Sequence, residues 1–161
     1  MARSCRRISL TALALVVTLS PDHPALGQAP NPIVGTWLLD RGQSEFVPEN
    51  DRLLARTMIF EATDNGLTCT IITENIQRYT AESKYTAHFD GKDVSIDNST
   101  LDFVSLRRMD ANTMERTGKR LGKAVETATM KVSPDGKTLT VTTKGAIDGD
   151  NYSSTQVFKR K

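Results

Sequence analysis

The sequence is poor in the side chains that build disulfides, metal sites and nucleophilic centres. Its 161 residues include two cysteines and two histidines, of which only Cys69 and His88 lie beyond the first 29 residues. One cysteine cannot form an internal disulfide, and one cysteine with one histidine falls short of the clustered ligands that zinc requires. The sequence therefore predicts no metal site, and it favours a buried, unreactive thiol at Cys69.

Motifs for cofactor binding and hydrolysis are also missing. The sequence has no glycine-rich loop of the kind that holds a phosphate, and Ser153-Ser154-Thr155 lacks the Gly-x-Ser-x-Gly turn of hydrolases. The carboxylates show no paired acid and base, and we interpret Glu115 beside Arg116 as charge alternation along a strand. The sequence therefore predicts no cofactor.

The first 29 residues have the composition of an export signal. Arg3, Arg6 and Arg7 precede an uncharged, largely apolar run from Ile8 to Leu19, which is too short to cross a bilayer as a helix. The small residues Gly27 and Ala29 favour cleavage after Ala29, or within a few residues of it. The paired arginines match a twin-arginine signal only in part, so Sec export is the simpler interpretation. The sequence predicts a signal peptide over 1–29, a single domain over 30–161, and a periplasmic or secreted protein.

The predicted domain has no excess of either charge. The sequence has 21 basic and 19 acidic residues, of which three basic and one acidic lie in the leader, so the domain carries 18 of each. Without a basic stripe it lacks the main driving force for binding nucleic acid or an anionic membrane surface. No apolar run beyond the leader is long enough to span a membrane. Nothing in the sequence indicates the oligomeric state.

Turns rich in Asp, Asn and Gly divide the domain into short β-branched runs. In Thr138-Leu139-Thr140-Val141-Thr142, the leucine and the valine share one face and the threonines the other. The spacing predicts eight to ten strands, over 33–40, 53–62, 67–73, 84–89, 94–97, 101–109, 113–120, 124–132, 138–143 and 152–159. The longest connection, 41–52, is expected to be a loop or a single helical turn.

Hairpins joined by short turns make an antiparallel meander. A long meander removes its exposed edges by curling until its last strand pairs with its first. We therefore expect an all-β fold, an antiparallel up-and-down β-barrel of eight to ten strands, ahead of a sandwich.

The start of the predicted domain resembles the calycin group, which comprises lipocalins, fatty-acid-binding proteins and, more loosely, avidins. Gly35-Thr36-Trp37 is similar to the G-x-W that begins their first strand, and it contains the only tryptophan. The resemblance implies that Trp37 closes one end of a barrel and that Lys159 or Arg160 packs across its ring. The layout is also similar to small exported bacterial lipocalin-like proteins, which begin N-P-x-V-G-T-W and carry a D-G-K-T-L-T-V hairpin, here 135–141.

The C-terminal strand resembles the closing strand of fatty-acid-binding proteins, where an Arg-x-Tyr pair holds the ligand carboxylate. Gln156 and Phe158 occupy those two places here, so the bidentate clamp on an anionic headgroup is missing. That family also has a helical lid, for which the 41–52 connection is too short. Fatty-acid binding in the manner of that family is therefore not expected.

A closed barrel of this kind implies a small apolar or amphiphilic ligand held inside. Arg107 either faces inwards with Leu101 and Phe103, where it would need a carboxylate partner, or it is a solvated arginine at the rim. Arg56 poses the same question as Arg107. If both arginines face inwards, they indicate an anionic ligand. Core packing explains the apolar candidates equally well. The expected ligand-binding residues are Arg56, Met58, Phe60, Tyr85, Phe103, Arg107, Gln156 and Phe158.

Two other functions stay open at this point. An isomerase, cyclase or lyase that works by proton transfer would need an acid or base inside the barrel, and His88 or a tyrosine is the candidate. His88 is better explained as a surface residue at a strand end, because functional imidazoles are recognised by their partners. A barrel filled by side chains would instead be a structural or interaction module.

Overall fold

The computed structural model describes residues 31–50 and 52–161, so the predicted signal peptide lies outside the described residues. The described residues form ten strands, and no helix among them is long and apolar enough to cross a membrane. The strands are β1 (Gly35–Val47), β2 (Leu53–Thr63), β3 (Gly66–Asn75), β4 (Thr80–His88), β5 (Val94–Ser95), β6 (Phe103–Arg108), β7 (Thr113–Arg120), β8 (Lys123–Val132), β9 (Thr138–Ile147) and β10 (Asp150–Arg160).

The strands form one antiparallel sheet that curls into a nearly closed barrel. Their order is β4-β3-β2-β1-β10-β9-β8-β7-β6-β5, so consecutive strands pair with each other except β4 with β5, and the first strand also pairs with the last. The two outer strands of this order approach each other, and isolated bridges join Lys84 to Asp97 and Asp90 to Arg107. The predicted all-β up-and-down barrel is confirmed.

The prediction of a loop over 41–52 is wrong, because β1 continues to Val47. A register shift between Asp40 and Glu45 shows that the strand bulges here. The Ser44 hydroxyl donates to the Asp40 carbonyl oxygen at 2.7 Å and accepts from the Val157 N–H at 2.9 Å. The residues that resemble a turn therefore form a bulge, and only 48–52 connect β1 to β2.

Trp37 seals one end of the barrel, as the resemblance implies. Its side chain is fully buried, and its indole N–H donates to the Ile33 carbonyl oxygen at 2.7 Å. The guanidinium of Arg160, rather than Lys159, lies 4.1 Å from the centre of the ring system. The same guanidinium donates hydrogen bonds to the carbonyl oxygens of Pro32, Val34 and Gly136.

The core fills the half of the barrel next to Trp37. Cys69 is fully buried there as a free thiol, and burial raises the pKa of that thiol to about 12. A thiol with so high a pKa stays protonated at neutral pH, so it is a poor nucleophile. The largest buried side chains around it are Phe60, Leu67, Leu106, Met130, Leu139 and Phe158.

Candidate functional site

The other half of the barrel encloses a cavity of about 520 Å³. This volume lies within the range of small-molecule sites in proteins. The interior is therefore not filled by side chains, and the interpretation of the chain as a barrel without a cavity is not supported. Much of the cavity wall is apolar and comes from Met58, Ile71, Leu101, Ala128, Met130 and Val141.

The tips of several hairpins surround the mouth of the cavity. Residues Val47 to Asn50 line it from the short β1–β2 connection, and Ile147 lines it from the end of β9. This connection is too short for a helical lid, so none covers the mouth from this side.

Arg56 on β2 brings a positive charge into the cavity. Its Nη1 donates to the Gln156 side-chain oxygen at 2.7 Å, and its Nε donates to the Thr73 hydroxyl at 3.2 Å. Both partners are neutral. Burial, together with the nearby charge of Arg116, lowers the pKa of Arg56, while Glu126 acts in the opposite direction. The guanidinium is thus a desolvated cation whose bonded partners carry no charge.

A second polar group lies on the opposite wall, where Arg116 on β7 forms an ion pair with Glu126 on β8. The two side chains are 13% and 10% exposed, so this is a buried pair. Tyr152 on β10 donates its hydroxyl proton to the other carboxylate oxygen of Glu126. Burial lowers the pKa of Arg116, but Glu126 together with Tyr85, Cys69 and Tyr152 outweighs it, so the net pKa is raised. Burial and the bond to Glu126 both raise the pKa of Tyr152.

The structure brings three of the expected ligand-binding residues together in the cavity wall, namely Arg56, Met58 and Gln156. Phe60, Tyr85 and Phe158 are instead buried in the packed core. The part that each of these side chains plays in binding stays a prediction.

Phe103 does not face inwards, and of the two alternatives for Arg107 the structure shows the solvated arginine. Phe103 is 43% exposed and Arg107 is exposed, whereas Val104 and Leu106 are fully buried. The faces were assigned by counting from Leu101, which is buried but precedes β6 and lies outside its alternation. Arg107 is therefore a surface arginine, and the second inward arginine is Arg116.

His88 lies exposed at the end of β4. Tyr79 is 70% exposed, and Glu74 forms an ion pair with Arg78. The imidazole therefore has no place in the cavity wall, and the proton-transfer enzyme loses its best candidate.

Sequence reasoning missed Arg116, Glu126 and Tyr152. We interpreted Glu115 beside Arg116 as charge alternation, and the two side chains do lie on opposite faces of the strand. The interpretation missed that Arg116, which faces inwards, forms an ion pair with Glu126. The strand pattern places Met114, Arg116 and Gly118 on one face of β7, and the structure shows that this face is the inward one.

Neither the protein-family models nor the curated proteins give a match to this chain. Several solved structures, in contrast, match this chain. A mutant of the fluorescent protein UnaG aligns with a TM-score of 0.57 at 16% identity, over 81% of this chain and 96% of that one. The zebrafish ileal bile acid-binding protein in complex with cholic acid gives 0.53 at 13% identity, over 81% and 99%. A fatty acid binding protein of Schistosoma mansoni in complex with arachidonic acid gives 0.50 at 12%, over 81% and 96%.

These three alignments span nearly the whole of each matched structure, and at such identities they establish the fold alone. They agree with the ten antiparallel strands and the barrel seen here. The chain therefore has the calycin fold, in the ten-stranded form of the fatty-acid-binding proteins.

Proposed function

We propose that this barrel binds a small amphipathic carboxylate, with the anionic group at Arg56 and the apolar body against the apolar part of the wall. The observation that carries the proposal is the half-buried guanidinium of Arg56 in the wall of an open cavity. Among the described residues its hydrogen bonds go only to neutral groups, Thr73 and Gln156.

The charges in the cavity wall favour an anion. Arg116 and Glu126 neutralise each other within their ion pair, which leaves the charge of Arg56 without a direct counterion. Glu49 also lines the cavity, but it lies at the mouth and is exposed to solvent. A buried charge without a partner is costly, and a ligand carboxylate would remove that cost by a charge-assisted hydrogen bond.

The structural neighbours lend support of a limited kind. Two of them are complexes with an organic acid, namely cholic acid and arachidonic acid. The position of the cation differs here, because Gln156 and Phe158 replace the Arg-x-Tyr pair of the last strand and the guanidinium comes from β2.

Isothermal titration calorimetry of residues 30–161 tests the proposal, with dodecanoate and its neutral analogue dodecan-1-ol as probes. We expect dodecanoate to bind more tightly than the alcohol. Arg56→Gln should weaken dodecanoate binding by roughly tenfold or more, because it removes a charge-assisted hydrogen bond. The matched control is Arg107→Gln, which changes an arginine on the outer face.

Equal affinities for acid and alcohol, or an equal loss in both variants, would contradict the proposal. Native mass spectrometry of the isolated protein adds an independent readout, since a retained cargo should have the mass of an organic acid.

We also propose that the protein is exported to the periplasm or beyond the cell. The proposal rests on the leader, where Arg3, Arg6 and Arg7 precede the apolar run 8–19. The full sequence should be expressed in a Gram-negative host, followed by cell fractionation and N-terminal sequencing. We expect a processed protein that begins near Pro30 outside the cytoplasm, and an unprocessed cytoplasmic chain would contradict export.

A further inference from the structure

We infer that the cavity has a second polar subsite, formed by Arg116, Glu126 and Tyr152, which binds a hydroxyl group on the body of the ligand. The inference rests on the proposed function and narrows the ligand to a hydroxylated carboxylate.

The strands leave room for this polar group on both sides. Glu126 pairs in register with Gly118 on β7 and with Gly145 on β9. A Cβ at position 118 would lie 2.6 Å from the Glu126 Cγ and 2.7 Å from a Leu101 methyl carbon. A Cβ at position 145 would lie 2.6 Å from the Val125 carbonyl oxygen and 2.7 Å from the Tyr152 hydroxyl oxygen. Glycine inside a strand weakens it and often marks a close approach of other groups. Glycine at positions 118 and 145 lowers the stability of the two strands but leaves room for the Glu126 and Tyr152 side chains.

Stability alone does not account for this group. A buried ion pair contributes little net stability, because the cost of desolvating two charges offsets their attraction. Apolar side chains would serve at least as well in the wall of a barrel. Ligand binding would explain why a polar pair lies at the surface of a cavity, beside two glycines.

The group has hydrogen-bonding capacity left over. Each carboxylate oxygen of Glu126 accepts one bond, from Arg116 or from Tyr152, and can accept another. The Nε–H of Arg116 has no acceptor within hydrogen-bond geometry, but it is enclosed beside the Tyr85 hydroxyl, so the capacity that is open to the cavity is that of Glu126. A hydroxyl matches this arrangement, because it is a neutral group that both donates and accepts.

The charge balance favours a neutral group over a second anion. Arg116 and Glu126 cancel, and Glu126 would repel another carboxylate at this place. Within the described cavity wall, the uncompensated cation is Arg56, which is bonded to Gln156. One acid group and one neutral hydroxyl therefore satisfy both polar parts of the wall.

The separation of the two subsites sets the separation of the two groups. Gln156, which holds Arg56, and Tyr152, which holds Glu126, are four residues apart on the same face of β10. At about 3.3 Å per residue, their backbones lie roughly 13 Å apart. The hydroxyl is thus expected towards the far end of a medium-length chain and not next to the acid.

Calorimetry with dodecanoate and 12-hydroxydodecanoate tests the inference on residues 30–161. We expect the hydroxy acid to bind about tenfold more tightly, as for one hydrogen bond to a charged group. Glu126→Gln should reduce this preference to about one. Glu115→Gln is the matched control, since its side chain lies on the other face of β7, and it should keep the preference.

A second variant guards against a loss of folding in Glu126→Gln. Arg116→Met combined with Glu126→Leu replaces the ion pair by apolar side chains, a change that buried pairs tolerate. It should remain folded by circular dichroism and should also lose the preference for the hydroxy acid.

The outcomes separate the two proposals. Equal affinity for both acids, with binding that depends on Arg56, overturns the subsite and leaves the proposed function standing. A preference that survives in both Glu126 variants also overturns the subsite. A preference that depends on Glu126 but not on Arg56 supports the subsite and contradicts the carboxylate site at Arg56.

Discussion

At the scale of single residues, Arg160 makes the most concentrated set of contacts in the structure. Its guanidinium covers the Trp37 ring and donates to three backbone carbonyl oxygens, two of them in the segment that precedes β1. Those carbonyls lie on two separate stretches of chain, around residues 32–34 and at Gly136. The planar fork of arginine matches this arrangement, whereas an ammonium group is a single point of charge.

We expect Arg160→Lys to lower the free energy of unfolding by about 1–2 kcal/mol, because lysine retains the charge but cannot reach all three carbonyls. Urea denaturation followed by Trp37 fluorescence measures this change. Arg108→Lys is the control, since Arg108 also covers an aromatic ring, that of Phe89, at 4.5 Å. Its expected effect is below about 0.5 kcal/mol. Equal effects of the two substitutions would show that the carbonyl contacts contribute nothing.

Some residue positions were predictable and others were not. The place of Trp37 followed from its motif, and Arg160 was one of two candidates offered for its partner. The inward position of Arg116 was not predicted, because the sequence shows alternating charges but not which face of a strand meets the interior. Burial of a guanidinium depends on its partners, and Glu126 is a neighbour through strand pairing, not through sequence.

At the scale of elements, the bulge in β1 lets one long strand pair with β10 in two stretches, 37–40 and 45–47. The register shift leaves the Val157 N–H without a backbone acceptor on β1. The Ser44 hydroxyl oxygen accepts this hydrogen bond instead. A buried backbone donor without an acceptor is costly. The bulge is therefore stable only with a side chain that both donates and accepts.

Ser44→Ala should destabilise the protein by about 1–2 kcal/mol, because it leaves the half-buried Val157 N–H without an acceptor. Thermal unfolding followed by circular dichroism measures the loss. Ser44→Thr keeps the hydroxyl and should recover part of it. Ser95→Ala, at an exposed position on β5, serves as the control and should change stability by less than about 0.5 kcal/mol. A Ser44→Ala protein as stable as the control would contradict the role of the hydroxyl.

The elements themselves were largely predictable, since the turn residues punctuate the sequence at the ends of the strands. Ten runs were predicted and ten strands are observed. The failures have a common cause, which is that local composition does not reveal register. Gly42 and Ser44 are typical of a turn but lie in a bulge, and Phe103 and Arg107 were assigned to the wrong face by counting from a residue outside the strand.

At the scale of the whole molecule, the barrel has one weak side. The outer strand β4 meets β5 and β6 only through two isolated bridges, whereas β9 is paired along its length with both β8 and β10. Strands with pairing on one side open at lower free energy than strands paired on both.

We expect amide hydrogens in residues 80–88 to exchange with solvent at least about tenfold faster than those in residues 138–147, because opening β4 breaks one ladder and opening β9 breaks two. Hydrogen–deuterium exchange followed by mass spectrometry measures both segments in the same sample. Equal protection would mean that the barrel opens only by global unfolding, and it would contradict a weak side.

The cavity is a whole-molecule property, and the sequence could not establish it. A ten-stranded barrel can be filled or hollow according to the summed volume of its inward side chains. Half of this interior is packed beneath Trp37, and the other half is open above Met58 and Val141. Small inward residues such as Gly118 and Gly145 make room for the side chains of Glu126 and Tyr152 in the cavity wall, but a glycine in a sequence indicates a turn first.

The clamp of Arg160 on residues 32–34 places the two ends of the described domain side by side. A short peptide linker would span them, and opening the backbone at the exposed Leu121 in the β7–β8 turn would leave each ladder intact. The connectivity of the barrel is thus a ring interrupted at one point. The chain ends could therefore lie at any of the hairpin turns, and a circular permutant is expected to form the same barrel.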